Sequence, residues 1–179
     1  CACSYQGEEL GLTEADIPRE QLQDPFGITF WPRCKGRDGC RTPMPWSDNG
    51  RNAGFTEAST PWLPIPDEHK ARAVERQKAH PDSVLNAYRR FVHWRKAQPA
   101  LRWGSIEFLP APEGQLLFVR EHPQQRLLVA LNFTDRAVRL ELPELKPGQV
   151  FEEPGLPVGR LKGQRLELPA YGSYYAPLL

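Results

Sequence analysis

The chain has 179 residues, of which 40% are hydrophobic and 25% are charged, so it is long enough for one sizeable domain or two small ones. Its formal net charge is +1 and neither part is a polycation, which argues against nucleic acid and anionic membranes as partners. No apolar run approaches the roughly 20 residues of a transmembrane helix, so we expect no membrane anchor.

A short candidate strand, Ala2 to Tyr5, opens the chain and runs directly into the polar, glycine-containing segment Gln6 to Glu9. Parallel barrels and open α/β sheets build their sites where strands end in such loops. One strand cannot form a sheet alone, so its neighbours must come from outside these residues. The chain also begins at Cys1 without an initiator methionine, and we interpret it as the C-terminal part of a longer protein.

The cysteines are concentrated in the first forty residues, at Cys1, Cys3, Cys34 and Cys40. They form no C-x-x-C pair and have no histidine at ligand spacing beside them, which argues against a zinc site. We favour small buried thiols. A disulfide between Cys34 and Cys40 stays open, and so does the redox compartment. We expect a cytoplasmic protein, with the periplasm as the alternative.

Eight prolines interrupt the chain from Gly11 to Pro66, and they argue against long helices and central strands there. We predict only one short helix in this excursion, near Arg19 to Leu22. The stretch Gly36 to Phe55, GRDGCRTPMPWSDNGRNAGF, has neither a helical nor a strand period. Such a run is either disordered or a structured functional loop, and its aromatic and cationic residues favour the structured loop.

The arginines and the tryptophan of this loop suggest a polar ligand. Arginine offers a fixed fork of donors for a carboxylate or for sugar hydroxyls, and tryptophan offers a flat apolar face to a ring. The alternative for Arg37 and Asp38 is that they only pair with loop groups and hold the irregular backbone in place.

Helical periodicity appears after the excursion. Asp82 is a good N-cap, and apolar residues then recur at helical spacing until Pro99, which predicts an amphipathic helix of about four turns. The preceding stretch, Ala71 to Ala79, is rich in alanine and also fits a helix.

From Gly104 onward, short apolar or alternating runs are separated by turn residues, as in an antiparallel β module. We predict a small β-sandwich or twisted sheet that packs on the preceding helix, with the segment Pro154 to Gly159 as an edge or loop. The predicted strands are Ser105 to Leu109, Leu116 to Glu121, Arg126 to Phe133, Ala137 to Leu142, Arg165 to Leu168 and Tyr174 to Pro177.

No set of residues in this chain supports catalysis by itself. No serine or cysteine lies in a nucleophile-elbow sequence, no glycine-rich phosphate loop is present, and the adjacent Glu8 and Glu9 would point apart if extended. The carboxylates are not spaced as an oxygen cage, so we expect neither a metal nor a cofactor.

Several motifs nevertheless follow one another in a characteristic order. They are YQGEELGL at Tyr5 to Leu12, QDPFG at Gln23 to Gly27, GRDGCRTPMPW at Gly36 to Trp46, NAGF at Asn52 to Phe55, PW at Pro61 and Trp62, and the helical DSVLNAYRRFVHWRKAQPAL at Asp82 to Leu101. Together they resemble the closing third of bacterial α-glucosidases of the α-amylase superfamily, in particular the oligo-1,6-glucosidase-like enzymes of glycoside hydrolase family 13. Beyond Gly104 the resemblance is only topological.

The resemblance implies the last strand and last helix of a (β/α)8 barrel with a long irregular insertion, followed by a C-terminal antiparallel β-sandwich domain. We therefore expect a barrel part at 1–103, including the excursion at 11–66, and a β domain at 104–179. The family nucleophile and acid/base would precede Cys1, so no catalytic residue is assigned and this chain should be inactive alone. The resemblance also implies an extended segment at Val74 to Gln77, which we follow in preference to a helix.

The resemblance assigns roles to four residues. Through the RTP tripeptide, Arg41 corresponds to the arginine that reaches the pocket of the terminal glucose and pairs there with an aspartate from the missing N-terminal part of the barrel. Arg37, Asp38 and Asn52 would support the loop. The implied substrate is a short oligosaccharide or α-glucoside. The alternatives are a non-catalytic carbohydrate-binding or scaffold protein, and a transglycosylating relative such as a sucrose isomerase.

Overall fold

The computed structural model describes residues 3–152 and 155–179. The chain divides into two compact units, Cys1–Arg89 and Arg90–Leu179. Ala2 of the predicted first strand lies outside the described residues, whereas Cys3 to Tyr5 are described and form no strand. Ladder hydrogen bonds to a neighbour define a strand, and no described strand pairs with this stretch.

Short helices and turns build the first unit. Its α-helices are α1 (Pro25–Phe30), α2 (Asp67–Ala71), α3 (Val74–Ala79) and α4 (Val84–Lys96), the last of which continues into the second unit. The 3-10 turns of the described residues are Glu8–Leu10, Arg19–Gln21, Asp38–Cys40 and Arg51–Gly54. The second of these turns confirms the short helix predicted near Arg19 to Leu22. The expectation of only one short helix before Pro66 is wrong.

Helix α1 forms within the proline-rich excursion because a proline begins it. Pro25 occupies the first turn, where its fixed φ suits a helix and its missing N–H would have no partner inside the helix. Asp24 caps the helix, since its carboxylate accepts a 3.0 Å hydrogen bond from the Phe26 N–H. Proline therefore excludes a helix interior but not a helix start.

Helix α3 corrects the extended segment expected at Val74 to Gln77. Its first N–H groups find acceptors in the functional loop, because Val74 donates to the Pro45 carbonyl over 2.9 Å and Glu75 donates to the Trp46 carbonyl over 3.0 Å. These two bonds satisfy orphan donors of the helix start without a side-chain cap. The alanine-rich pattern was the correct indication.

Helix α4 begins at Val84, and Ser83 rather than Asp82 caps it. The Ser83 hydroxyl accepts a 3.2 Å hydrogen bond from the Asn86 N–H and donates over 2.7 Å to the Gln77 carbonyl. The predicted helix is confirmed, but its cap lies one position later than the sequence suggested.

We expect replacement of Ser83 with alanine to lower the free energy of unfolding by about 1 kcal/mol, because a capping hydrogen bond is lost. The matched control is Asp82→Ala, since Asp82 is exposed and should change stability by less than about 0.5 kcal/mol. Urea unfolding of the two variants measures the difference. A larger loss in Asp82→Ala than in Ser83→Ala would return the cap to Asp82.

The second unit contains helix α5 and two antiparallel sheets. Pro99 begins α5 (Pro99–Trp103), although the sequence analysis took this proline only as the end of a helix. The strand order is β1-β2-β3-β7 in one sheet and β4-β6-β5 in the other. The strands are β1 (Ser105–Leu109), β2 (Gln115–His122), β3 (Gln125–Asn132), β4 (Val138–Glu141), β5 (Arg160–Lys162), β6 (Arg165–Leu168) and β7 (Ser173–Pro177).

All six predicted strands are present, and β1 and β6 have the predicted bounds. Strand β5 was missed because it has only three residues and a single partner, β6. Gly163, at φ 62°, lies in the tight turn between them. Pro154 of the predicted edge segment lies outside the described residues, and Val158 of that segment forms an isolated bridge to Ser173.

The core of the second unit lies between its two sheets, where Leu117, Leu128 and Leu166 are almost fully buried. This arrangement is a β-sandwich. A separate cluster covers the opposite face of the larger sheet, where Trp94 of α4 meets Tyr175 of β7 edge-on with ring centroids 5.0 Å apart. The predicted packing of the β module on the preceding helix is confirmed.

Candidate functional site

The loop Gly36 to Phe55 and the segment after Tyr5 line an open cavity of about 570 Å³ on the first unit, which we call the arginine cavity. Arg37 and Arg41 both contribute to its wall, and Glu8 adds a carboxylate. Polar and apolar side chains share the rest of the lining. Polar groups that converge on a cavity can fix the orientation of a small polar ligand.

Arg41 ends the Asp38–Cys40 turn, where its N–H donates to the Asp38 carbonyl over 2.9 Å. The four residues after it are buried, whereas Arg41 itself is exposed at the cavity. A side-chain hydrogen bond with Tyr5 raises the pKa of Arg41, and attraction to nearby aspartates acts in the same direction. A guanidinium has five N–H donors, so a bond to one hydroxyl leaves others for a ligand.

Asp38 is 1% exposed and supports the loop backbone. Its carboxylate accepts hydrogen bonds from the N–H groups of Gln23, over 2.6 Å, and Asp24, over 2.8 Å. Asp24 in turn accepts a 2.8 Å bond from the Arg37 N–H. That bond is the main cause that lowers the pKa of Asp24, followed by the bond from the Phe26 N–H. The Asp38 carboxylate therefore binds the backbone of QDPFG, and the Asp24 carboxylate binds the backbone of GRDG.

Arg37 and Asp38 do not pair with each other through their side chains among the ion pairs of the described residues. Arg37 binds the loop through its backbone N–H, while its exposed side chain lines the arginine cavity. The contacts of Asp38 agree with the proposed support of the loop. The side chain of Arg37 has a separate position, at the cavity wall.

Asn52 holds a left-handed turn at the far end of the loop. It adopts φ 46° and Ala53 adopts φ 52°, a region that asparagine tolerates better than most residues. The Asn52 amide donates to the carbonyls of Thr56, over 3.0 Å, and Ala58, over 2.8 Å. The Ala53 carbonyl accepts a 2.8 Å bond from the Trp46 N–H, so this turn ties NAGF to PMPW.

A larger hollow of about 690 Å³ lies on the smaller sheet of the second unit. Its Arg139 is already paired with Glu167 across neighbouring strands over 3.1 Å. Opposite charges facing each other across a sheet are typical of a solvated surface. We therefore assign the candidate site to the arginine cavity.

Two residues of this cavity received no role from the sequence. Tyr5 was seen only as part of a motif, yet it lines the cavity beside Arg41 and raises the pKa of that guanidinium. His69 lies in none of the motifs, yet it is 1% exposed and bonds Thr42 over 3.1 Å and the Thr13 carbonyl over 2.9 Å. No local pattern marks contacts between residues so far apart in sequence.

The expectation of buried thiols is wrong for the described cysteines. Cys3 and Cys40 are exposed, Cys34 is partly buried, and all three are free, so Cys34 and Cys40 form no disulfide. Cys1 lies outside the described residues. In the described part of the chain, no three His, Cys, Asp or Glu side chains cluster as metal ligands would. Within residues 3–152 and 155–179, every helix is too short or too polar to span a bilayer.

Comparison with protein families matches residues 1–104 to the alpha amylase catalytic domain. The chain belongs to the alpha-amylase family. Residues 106–175 match a second family model, the C-terminal domain of maltogenic amylase. The resemblance drawn from the motifs is therefore confirmed, and so is the fold class of a barrel end followed by a C-terminal antiparallel β domain.

Individual members of the alpha-amylase family resemble most of this chain. A probable alpha-glucosidase from Rhizobium meliloti is 47% identical over 98% of this chain and 31% of its own length. The crystal structure of an alpha-glucosyl transfer enzyme superposes with a TM-score of 0.93 at 48% identity, over 99% of this chain and 32% of that one. An isomaltulose synthase from Klebsiella gives a TM-score of 0.79 at 26% identity, over 97% of this chain and 34% of that one.

The chain thus spans about a third of the length of the relatives that it matches.

Proposed function

We propose that these residues belong to a retaining α-glucosidase that removes terminal α-linked glucose from short oligosaccharides, and that they supply part of its sugar pocket. The observation that carries the proposal is the position of Arg41. It is exposed at a cavity that Tyr5 also lines, just before the polar segment, and it follows a turn fixed by a buried aspartate. The relative named a probable alpha-glucosidase supports the choice of reaction.

Bond cleavage requires groups that these residues do not supply. A retaining glycosidase places two carboxyl groups about 5 Å apart, one to attack the sugar carbon and one to protonate the leaving oxygen. In the proposed enzyme both come from the N-terminal part of the barrel. The Arg41 guanidinium would pair with an aspartate of that part and close the pocket behind the terminal glucose. A closed pocket excludes further sugar units and favours cleavage at the chain end.

The residues around Arg41 would act as supports. Asp38 fixes the turn that precedes Arg41, Asn52 fixes the turn that follows the loop, and the Arg37 backbone joins the loop to Asp24. Rigid support matters because a sugar must be held close to the reacting carboxylates in one orientation. The substrate is proposed to be a short oligosaccharide or α-glucoside, and the cytoplasmic location stays a prediction.

Two preparations test the proposed function. The complete protein is expected to hydrolyse maltose and p-nitrophenyl α-glucoside, and proton NMR should show α-glucose as the first product. Residues 1–179 alone, folded by circular dichroism, are expected to show no turnover. Turnover by residues 1–179 would contradict the assignment of catalysis to the N-terminal part. Release of β-glucose by the complete protein would contradict retention.

Glucosyl transfer is the second candidate function, because one structural neighbour is an alpha-glucosyl transfer enzyme and another is an isomaltulose synthase. Product analysis with an added alcohol acceptor, and with sucrose as substrate, separates transfer and isomerisation from hydrolysis. Binding of maltose by the complete protein without any turnover would instead support a carbohydrate-binding or scaffold role.

A further inference from the structure

We propose that His69 is a positioning residue that joins two walls of the arginine cavity and holds Arg41 in place through Thr42. The walls are the segment Leu12 to Glu14 and the segment Gly39 to Thr42, both of which line the cavity. His69 is 1% exposed and contacts each wall once. Its contribution to the site would be geometric, since the ring faces protein groups on both sides.

The two contacts define the state of the imidazole. Nε2 lies 2.9 Å from the Thr13 carbonyl, which can only accept, so Nε2 carries the proton and donates. Nδ1 lies 3.1 Å from the Thr42 hydroxyl and accepts from it in the neutral ring. Both ring nitrogens are therefore satisfied inside the protein, and the ring has no donor or acceptor left for a substrate.

Arg41 lies between two buried polar anchors. On one side its N–H is bonded to the Asp38 carbonyl over 2.9 Å, and the Asp38 carboxylate is fixed by loop N–H groups. On the other side Thr42 is 7% exposed, and its hydroxyl is held by His69. Adjacent Cα atoms are only about 3.8 Å apart, so a shift of Thr42 moves the base of the Arg41 side chain with it.

A second link between the walls lies on the opposite side of Arg41. The Ala15 N–H donates to the Gly39 carbonyl over 2.9 Å. This backbone link fixes the Gly39 end of the wall, so the His69 link is the one that fixes the Thr42 end. Loss of His69 should therefore tilt the wall that carries Arg41 while the other end stays attached.

The two contacts can be removed one at a time. In His69→Gln the side-chain amide can reach the Nε2 position and donate to Thr13, but the acceptor for Thr42 is lost. In His69→Asn the amide oxygen can occupy the Nδ1 position and accept from Thr42, but the bond to Thr13 is lost. Thr42 then stays attached to the backbone of helix α2, where the His69 N–H is bonded to the Pro66 carbonyl over 3.0 Å. Thr42→Val removes the hydroxyl itself. Lys70→Ala is the matched control, because Lys70 lies on the same helix and its ammonium pairs with the exposed Asp67.

The kinetic part of the test rests on the proposed glucosidase function. In the complete enzyme, His69→Gln and Thr42→Val are each expected to lower kcat/KM for maltose about tenfold, because small displacements of a binding group cost large factors. Both substitutions remove the same hydrogen bond, the one between the Thr42 hydroxyl and Nδ1 of His69. The double variant should therefore lose no more than either single variant. His69→Asn should lose clearly less, and Lys70→Ala should match the wild type. Equal losses in His69→Asn and His69→Gln, or additive losses in the double variant, would overturn the proposal.

A second measurement is independent of activity. The Nε–H signal of Arg41 in the complete protein with 15N-labelled arginine, assigned by its loss in Arg41→Lys, reports the surroundings of the guanidinium. It is expected to shift in His69→Gln and Thr42→Val and to stay near its wild-type position in His69→Asn. An unmoved signal in all variants would overturn the role of His69. If the Arg41 signal shifts but the complete protein has no glucosidase activity, the positioning role of His69 is supported and only the proposed reaction is contradicted.

Discussion

In the complete protein, replacing Arg41 with alanine is expected to lower kcat/KM for maltose by about 100-fold or more. The reason is that its proposed partner, an aspartate in a closed sugar pocket, would be left without its cation. A carboxylate in such a pocket is destabilised when it stays buried without a countercharge, and it also loses the donor that orients it. The effect should fall mainly on kcat/KM, measured from initial rates of glucose release.

Two further variants separate the geometry of Arg41 from its charge. Arg41→Lys keeps the positive charge but loses the planar fork of donors, so an intermediate loss is expected. Arg51→Ala is the matched control, because Arg51 is an exposed arginine of the same loop whose side chain bonds the Glu57 carbonyl over 3.3 Å. This control should stay near the wild type. If Arg41→Ala folds normally and stays within about threefold of the wild type, Arg41 does not belong to the pocket.

The β-sandwich was the part of the fold that could be read most fully from the sequence. Several strands bury one face, so buried positions recur with a period of two, as at Leu117 and Val119 of β2 and at Leu166 and Leu168 of β6. Strand β3 is instead a continuous apolar run that is buried from Leu127 to Ala130. Strand β5 escaped because three residues are too few to establish a period. Its presence depends on pairing with β6, which only the folded chain reveals.

The short helices show why composition misleads in a proline-rich sequence. Pro25 and Pro99 were counted as breakers, yet each lies in the first turn of a helix. Helix α3 was rejected on a family resemblance, although its first N–H groups are held by the carbonyls of Pro45 and Trp46. These are tertiary contacts, and they override local propensity.

In the candidate site, too, local motifs could be predicted from the sequence and tertiary contacts could not. Arg41 could be predicted because the RTP tripeptide carries its identity in consecutive residues. His69 could not, because its partners Thr13 and Thr42 lie 56 and 27 positions away in sequence. Tyr5 and Arg41, which line the same cavity, are also far apart in sequence. Motifs thus located the residue that we propose to face the ligand, whereas the residues that hold it appeared only in the structure.

The largest expected effect on stability falls on Gln77, which lies in α3 and is 8% exposed. Its amide nitrogen donates to the carbonyls of Leu10, over 2.9 Å, and Arg72, over 2.8 Å. Its amide oxygen accepts a 2.9 Å bond from the Leu85 N–H in the first turn of α4. One side chain therefore satisfies three backbone groups from three separate segments of the first unit.

Gln77→Met keeps the length of the side chain and removes all three hydrogen bonds. Each buried backbone group that loses its partner costs about 1 to 3 kcal/mol, and the three costs overlap because water can reach some of them. We therefore expect the free energy of unfolding to fall by about 3 to 5 kcal/mol. Lys78→Met is the matched control, since Lys78 is the next residue of the same helix and is exposed.

Hydrogen exchange gives the sharpest measurement of this loss. In Gln77→Met the Leu85 amide should exchange much faster, because its acceptor is gone and the start of α4 opens locally. Peptides from β2 and β3 serve as the internal reference for each sample. If Leu85 keeps its wild-type protection while thermal unfolding also matches that of Lys78→Met, the Gln77 bonds contribute nothing to the fold. The connection between Leu10, α3 and α4 would then rest on the apolar contacts among Leu10, Met44, Val74 and Leu85 alone.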